Sequence, residues 1–345
     1  MNMFRSLAKD NDDQSSLRRG RSKEPSTLSA RRATGWTPLF YDCRGVPIPL
    51  ESASGGTAFL IGGGPSIVTL NLQSLESVWT LTLNNGPATF RPNGNCTVDD
   101  PSRFSMSTWL DPTIMKFAPM AHFEKRLWDN RRLKIDGEWV QKWEPSDLRV
   151  GDCPNVVGYR RNEKFHAPRW LHEETINWGN NAKYGGGRSV MLAAMRILFL
   201  LGFRRVYLLG VDFEMTPEKK YHFPEERHSG AIRGNMSTYA KLQRWFTELQ
   251  PYFLKEGFIV KNCNPASKLT AFPFMPYEEA LAEATAHLGD YRNERTVGMY
   301  RKRAEKLAEI GQAPNGTPEK ASGASSEPIP ASAPVGQVEV TIQRL

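Results

Sequence analysis

The apolar positions of this chain fall into short continuous runs and helical stripes, punctuated by turns rich in glycine and asparagine. Thr57-Ala58-Phe59-Leu60-Ile61 is a short apolar run that ends in glycines, the pattern of a strand buried on both faces. Ile67 to Leu75 follows with helical spacing. Val78 to Leu83 reads as a second strand and stops at Asn84-Asn85-Gly86. Cys96-Thr97-Val98 reads as a third, stopping at Asp99-Asp100-Pro101. Ser107 to Phe117 predicts a helix interrupted by Pro112. This succession predicts βαβ units and a parallel sheet.

Regular patterning returns at Ser189. Val190, Met191, Ala194, Ile197, Leu198 and Leu201 share one helix face, and Gly202 is placed to end it. Arg205 to Leu209 reads as a buried strand running into Gly210-Val211-Asp212-Phe213. Glu214 to Gly234 is polar and predicts a loop. Ser237 to Glu256 predicts a helix with Tyr239, Leu242, Trp245, Phe246, Leu249 and Phe253 at helical spacing, ended by Gly257. Phe258-Ile259-Val260 predicts the last strand. No internal repeat is visible.

Three segments depart from this pattern. Residues 1–35 carry eight cations against four acids and few large apolar side chains, and predict a disordered basic arm. Such an arm suits contact with nucleic acid or another acidic surface, or it is a solvated tail. Residues 308–345 are rich in Pro, Ala and Ser and predict a flexible tail. Between them, residues 36–307 form the expected folded domain. Within it, residues 125–180 hold Trp128, Trp139, Trp143, Trp170 and Trp178 among many charges, with neither a clear helical nor a clear strand period. They predict an insertion, a small antiparallel piece or a lid. Trp beside Arg suits a stacking platform for a sugar or base, although aromatic rings also anchor irregular segments.

Composition narrows the class. The 345 residues are 39% hydrophobic and 24% charged, ordinary for a globular chain with one large core. The longest apolar stretch, Val190 to Leu201, is interrupted by Arg196, so no membrane span is expected. The N-terminus lacks an apolar signal core, which points to the cytoplasm. Cys43, Cys96, Cys153 and Cys263 are far apart, so reduced and mostly buried thiols are expected rather than a zinc site.

The candidate chemistry lies in the turns. Gly62-Gly63-Gly64-Pro65-Ser66 joins a strand to a predicted helix. Glycines let backbone approach a phosphate or ribose closely, and a helix start offers free N–H groups. The turn is neither a P-loop nor a Gly-x-Gly-x-x-Gly fingerprint. Ser66 suits a cap or a phosphate contact. Lys183 to Ser189 is a second glycine turn, with Tyr184 and Arg188 suited to a leaving phosphate. His222 and His228 lie on the polar loop, where an imidazole suits general-base work. Asp212, His222, Glu225 and His228 match no standard metal spacing.

Four segments together resemble the bacterial sialyltransferases that decorate lipo-oligosaccharides, glycosyltransferase family 42. They are Gly62 to Ile67, Leu83-Asn84-Asn85, Gly202 to Phe213, and Asn264 to Phe272, with His228-Ser229 in the interval where that family keeps its catalytic histidine. The glycine turn and the Gly-Val-Asp strand end also resemble the broader superfamily of archaeal 6-hydroxymethylpterin diphosphokinases and flagellin-modifying accessory proteins, a look shared by many phage and bacterial proteins. Gly63 stands where the sialyltransferase turn has Asn, and the Trp-rich insertion has no counterpart there.

The resemblance implies an α/β, Rossmann-like, mainly parallel sheet flanked by helices. It implies glycosyl transfer from a nucleotide-sugar, possibly CMP-linked, to a glycan or other hydroxyl acceptor, without an obligatory cofactor. Gly62, Gly63, Gly64, Pro65, Ser66, Asn84, Asn85, Arg188, Asp212 and Ser267 are the expected donor contacts. His228 is the expected base, and Tyr184 the support of the leaving phosphate. The alternatives are a diphosphokinase using ATP, Mg²⁺ and acidic ligands such as Asp99, Asp100 and Asp212, and a non-catalytic nucleotide-binding interaction module.

Overall fold

The computed structural model describes residues 40–48, 50, 53, 55–162, 165–173, 175–177, 189–216, 221, 229–289 and 296–312. In chain order its strands are β1 (Phe40–Tyr41), β2 (Pro47–Ile48), β3 (Thr57–Ile61), β4 (Trp79–Leu83), β5 (Gly94–Cys96), β6 (Met115–Pro119), β7 (Arg126–Ile135), β8 (Glu138–Arg149), β9 (Val156–Tyr159), β10 (Arg161–Asn162), β11 (Ile176–Asn177), β12 (Arg205–Leu209) and β13 (Ile259–Asn262). The α-helices are α1 (Met106–Leu110), α2 (Val190–Leu200), α3 (Ser229–Lys255), α4 (Tyr277–Thr285) and α5 (Arg303–Gln312).

Nine strands form one sheet in the order β13-β12-β3-β4-β5-β6-β9-β1-β2. From β13 to β9 every pair is parallel, and β1 and β2 close one edge antiparallel. This is the expected α/β, mainly parallel, Rossmann-like architecture.

The apolar runs of β3 and β12 follow from burial on both faces. Ala58, Leu60, Val206 and Leu208 face one layer, in which α2 and α3 pack. Phe59, Ile61, Tyr207 and Leu209 alternate into the opposite layer, with Ile67, Leu75 and α4. Each fully buried Leu, Ile or Phe contributes roughly 1.5–3 kcal/mol relative to exposure, so this double-faced core dominates stability.

Those layers fix a topological switch. The β3–β4 connection lies in the layer of Ile67 and Leu75, and the β12–β13 connection, α3, lies in the other. Neighbouring parallel strands whose connections leave on opposite faces open a crevice at their carboxyl ends. Here those strands are β3 and β12.

Four local expectations are corrected. Ile67–Leu75 is not an α-helix but two 3₁₀ segments, Pro65–Thr69 and Leu72–Leu75. The β-branched run Ile67-Val68-Thr69 disfavours helix, Leu70 is extended, and Asn71 restarts the chain by accepting from Gln73 N. The third strand is Gly94–Cys96 rather than Cys96–Val98. The expected helix to Phe117 stops at Leu110, because Pro112 cannot continue it and Met115–Phe117 enter β6. The loop expected through Gly234 becomes helix α3 at Ser229.

The stretch 125–180 contains the antiparallel ribbon β7–β8, after which β9 returns to the main sheet. Cys96, Cys153 and Cys263 are buried free thiols and Cys43 an exposed one. No helix among the described residues is long and apolar enough to cross a membrane. The chain falls into two compact units, Met1–Gly289 and Asp290–Leu345, and the sheet belongs to the first.

Candidate functional site

The crevice between β3 and β12 is built by two interlocked turns. Gly62 N donates to Leu209 O at 2.7 Å, and Gly64 N to Gly210 O at 2.7 Å. The backbones approach so closely that a Cβ on Gly62 would lie 2.5 Å from Gly210 O. A Cβ on Gly64 would lie 2.5 Å from the Asp212 carboxylate carbon. Gly210 has φ +61°, and a Cβ there would meet Gly62 O and Ile67 Cγ2 at 2.8 Å. Only glycine fits these three positions without displacement.

Asp212 ties the turns together. Its carboxylate accepts from Ser66 N at 3.0 Å, from the Ser66 hydroxyl, and from Asn264 Nδ2 at 2.8 Å. Its carbonyl accepts from Lys268 N at 2.9 Å. Ser267 donates to Val211 O at 2.6 Å and accepts from Leu269 N at 3.1 Å. Asp212, Ser66 and Ser267 thus spend polar capacity on one another's loops, and Asp212 is the anchor that joins three segments distant in sequence.

The resulting cleft is lined by Gly62–Pro65, Leu83, Asn84, Ser189–Met191, Gly210–Met215, Tyr221, Tyr239 and Leu242. Asn84 sits at the carboxyl end of β4 with φ +53°. Its backbone is held on both sides: N donates to Cys96 O at 3.0 Å, and O accepts from Asn95 Nδ2 at 3.1 Å. Its side-chain Oδ1 is buried with no hydrogen-bond partner among the described residues. A buried amide oxygen left unpaired costs roughly 1–3 kcal/mol, which a ligand donor would recover. Asn85 differs: its Nδ2 donates to Arg103 O at 3.2 Å.

The remaining walls come from the start of α2 and from the rings of Phe213 and Tyr239. Ser189 caps α2 by accepting from Met191 N at 3.1 Å, so the amino end of an 11-residue helix faces the cleft. Free N–H groups and the helix dipole there favour an anion. Phe213, at φ +53°, stacks on Tyr239 with centroids 4.9 Å apart and planes 13° apart. These rings give the cleft an apolar wall suited to a base or sugar ring. The Ser before the helix was a legible cap signal, whereas Tyr239 reads only as one more residue on an amphipathic helix.

His228, Tyr184 and Arg188, with His222 and Glu225, lie outside the described residues. Asp99 and Asp100 are described, and each meets a cation: Arg103 at 3.8 Å and Lys125 at 2.8 Å. Burial pushes the Asp100 carboxyl up, but hydrogen bonds from Lys125 and Ser102 outweigh it and leave a pKa of about 2. Among the described residues no group of three or more His, Cys, Asp or Glu is placed to hold a metal. His122, just after β6, is buried, and burial together with Lys125 and Arg161 lowers its pKa to about 4.

No family model matches the chain, and no curated protein matches it in sequence. Two glycosyltransferase structures overlay on it. One is the MAf glycosyltransferase from Magnetospirillum magneticum AMB-1, at 13% identity and TM-score 0.33, covering 75% of this chain. The chain spans 40% of the length of that protein. The other is a mammalian sialyltransferase in complex with Gal-beta-1-3GalNAc-ortho-nitrophenol, at 16% identity and TM-score 0.29, covering 63% of this chain and 77% of that one. Likeness at this level identifies neither donor nor acceptor.

Proposed function

We propose that the chain is a glycosyltransferase that moves a sugar from a nucleotide-sugar donor to an acceptor hydroxyl. One observation carries this reading. The four segments that resemble sialyltransferase motifs, scattered over some 200 residues, meet around the switch-point cleft, three of them joined directly through Asp212. In this reading the nucleotide lies across Gly62–Ser66, at the carboxyl end of β3. Asn84 Oδ1 accepts from the nucleotide or the donor sugar, and the amino end of α2 receives phosphate charge. Phe213 and Tyr239 cover a ring.

The chemistry is a displacement at the anomeric carbon. The acceptor oxygen forms the new bond as the anomeric carbon–phosphate oxygen bond breaks, and the nucleotide leaves with the electron pair. His228 takes the acceptor proton, and Tyr184 and Arg188 support the departing phosphate. Asp212 is a positioning residue. The resemblance implies inversion at the anomeric carbon, with no obligatory metal.

The test is turnover of nucleotide-sugars by His228→Ala beside the unaltered chain. General-base catalysis contributes typically 10²–10⁴-fold, so a loss of that order is expected. Turnover near that of the unaltered chain removes His228 from the mechanism. Binding of the donor, followed separately, is expected to persist in this variant.

A further inference from the structure

The stretch that follows β12 is fastened on both sides of Glu214. Val211 O accepts from the Ser267 hydroxyl, and Asp212 is bound by Ser66, Asn264 and Lys268. Phe213 keeps a left-handed backbone, rare for an aromatic residue, and its ring lies on Tyr239. Met215 N donates to Met236 Sδ at 3.3 Å, and the Met215 sulfur accepts from Asn235 Nδ2 at 3.5 Å, so α3 holds the far end. Val211, Phe213 and Met215 are buried, while Asp212 and Glu214 between them are half-buried and line the cleft.

Among the described residues, two carboxylates therefore line the cleft. That of Asp212 is taken by Ser66 and Asn264. Glu214 stands outside that junction, and its fastened neighbours preset its place on the wall. It has a contact of its own within the chain. An ionised carboxylate accepts at about four lone-pair sites, which leaves room for further donors.

We infer, on the reading of the cleft as a nucleotide-sugar site, that Glu214 holds the two adjacent hydroxyls of the nucleotide's ribose. A carboxylate repels phosphate, so Glu214 meets a part of the ligand that carries no negative charge. No Lys, Arg or His is among the described residues that line the cleft, and the feature there that favours an anion is the amino end of α2. Ribose is uncharged and joins base to phosphate. Its two neighbouring O–H donors match the two oxygens of one carboxylate. Glu214 directly follows Phe213, part of the wall suited to a base, and ribose is the group bonded to that base. Open parallel sheets that bind dinucleotides meet ribose with a carboxylate in the same way.

Calorimetry of the full chain with CMP, UDP and GDP, each beside its 2′-deoxy counterpart, tests this. For whichever nucleotide binds, the unaltered chain is expected to hold the ribonucleotide about tenfold or more tighter, because the 2′-deoxy compound leaves a charged acceptor without its donor. In Glu214→Ala the two are expected to bind nearly alike. Glu214→Gln, which keeps the size and one acceptor oxygen, is expected to lie between. Binding of the 2′-deoxynucleotide is expected to hold or rise in Glu214→Ala, because a negative charge leaves the cleft. A merely structural role would instead weaken both nucleotides together. Equal binding of the two by the unaltered chain overturns the inference and leaves the cleft a nucleotide site. A preference that survives in Glu214→Ala overturns it as well, as does a loss confined to guanine nucleotides, whose base edge offers paired N–H donors. Binding of no nucleotide removes the reading of the cleft itself, and the role of Glu214 with it.

Discussion

Asn84 is the residue whose conformation and chemistry disagree most with a purely structural role. Its φ of +53° costs an L-residue energy, yet its side-chain oxygen gains no partner among the described residues in return. Glycine tolerates that backbone, so Asn84→Gly removes the amide without forcing the chain to move. Stability in urea is expected to change by less than about 1 kcal/mol. Nucleotide affinity is expected to fall several-fold, on the order of 1 kcal/mol. Unchanged affinity in calorimetry removes Asn84 from the site. Gly64→Ala behaves oppositely. Its new Cβ would push into Asp212, and overpacking of this kind costs about 1–3 kcal/mol, so the thermal midpoint should drop along with binding. Asp212→Asn should resemble Gly64→Ala. It exchanges an acceptor of three hydrogen bonds for an amide that must turn a donor toward one of them.

At the scale of elements, β6 carries a test of burial. Lys116 is 1% exposed and donates to Asp111 O at 2.6 Å. Burial lowers its pKa to about 8 from the ordinary 10.5. Between those values the unfolded chain binds a proton that the folded chain does not. Stability should therefore rise as pH rises from about 8 toward 10.5, and fall again on return. Urea melts of the unaltered chain and of Lys116→Met should show this slope in the first and its loss in the second. An identical slope in both places the titration elsewhere.

The same strand shows which elements were legible in sequence. β3, β12, α2 and α3 announce themselves because their side chains alternate into two core layers or line one helix stripe. β6 reads in sequence as the tail of a helix because Met115-Lys116-Phe117 has no strand signature of its own. Its apolar and charged residues are buried by neighbours far away in the chain. The 3₁₀ pieces after the glycine turn failed for a related reason, since apolar spacing without helix-forming residues does not propagate an α-helix. In the site, the glycine turns and Asp212 were visible because close backbone approach demands particular residues. Met215 and Tyr239 enter the cleft only through tertiary packing, which no local pattern encodes.

At the scale of the whole molecule, a parallel sheet places its chemistry at the carboxyl ends of its strands, and the switch between β3 and β12 says where along that edge. The β7–β8 ribbon starts just after β6 and is fastened by Lys125 to Asp100 beyond β5, within the unit Met1–Gly289 that holds the cleft. The basic segment 1–35 belongs to this scale as well. If it serves nucleic acid, affinity for DNA must fall steeply with salt, and removal of those residues must flatten the response. A flat response in the full chain excludes that use. The central claim is that the switch-point cleft binds and consumes a nucleotide-sugar. The most direct measurement is thermal stability and nucleotide release with CMP-, UDP- and GDP-linked sugars and with ATP, each with and without Mg²⁺. At least one sugar nucleotide is expected to stabilise the chain and to be cleaved at the anomeric bond. Stabilisation by ATP with Mg²⁺ alone, or by no nucleotide at all, would contradict it.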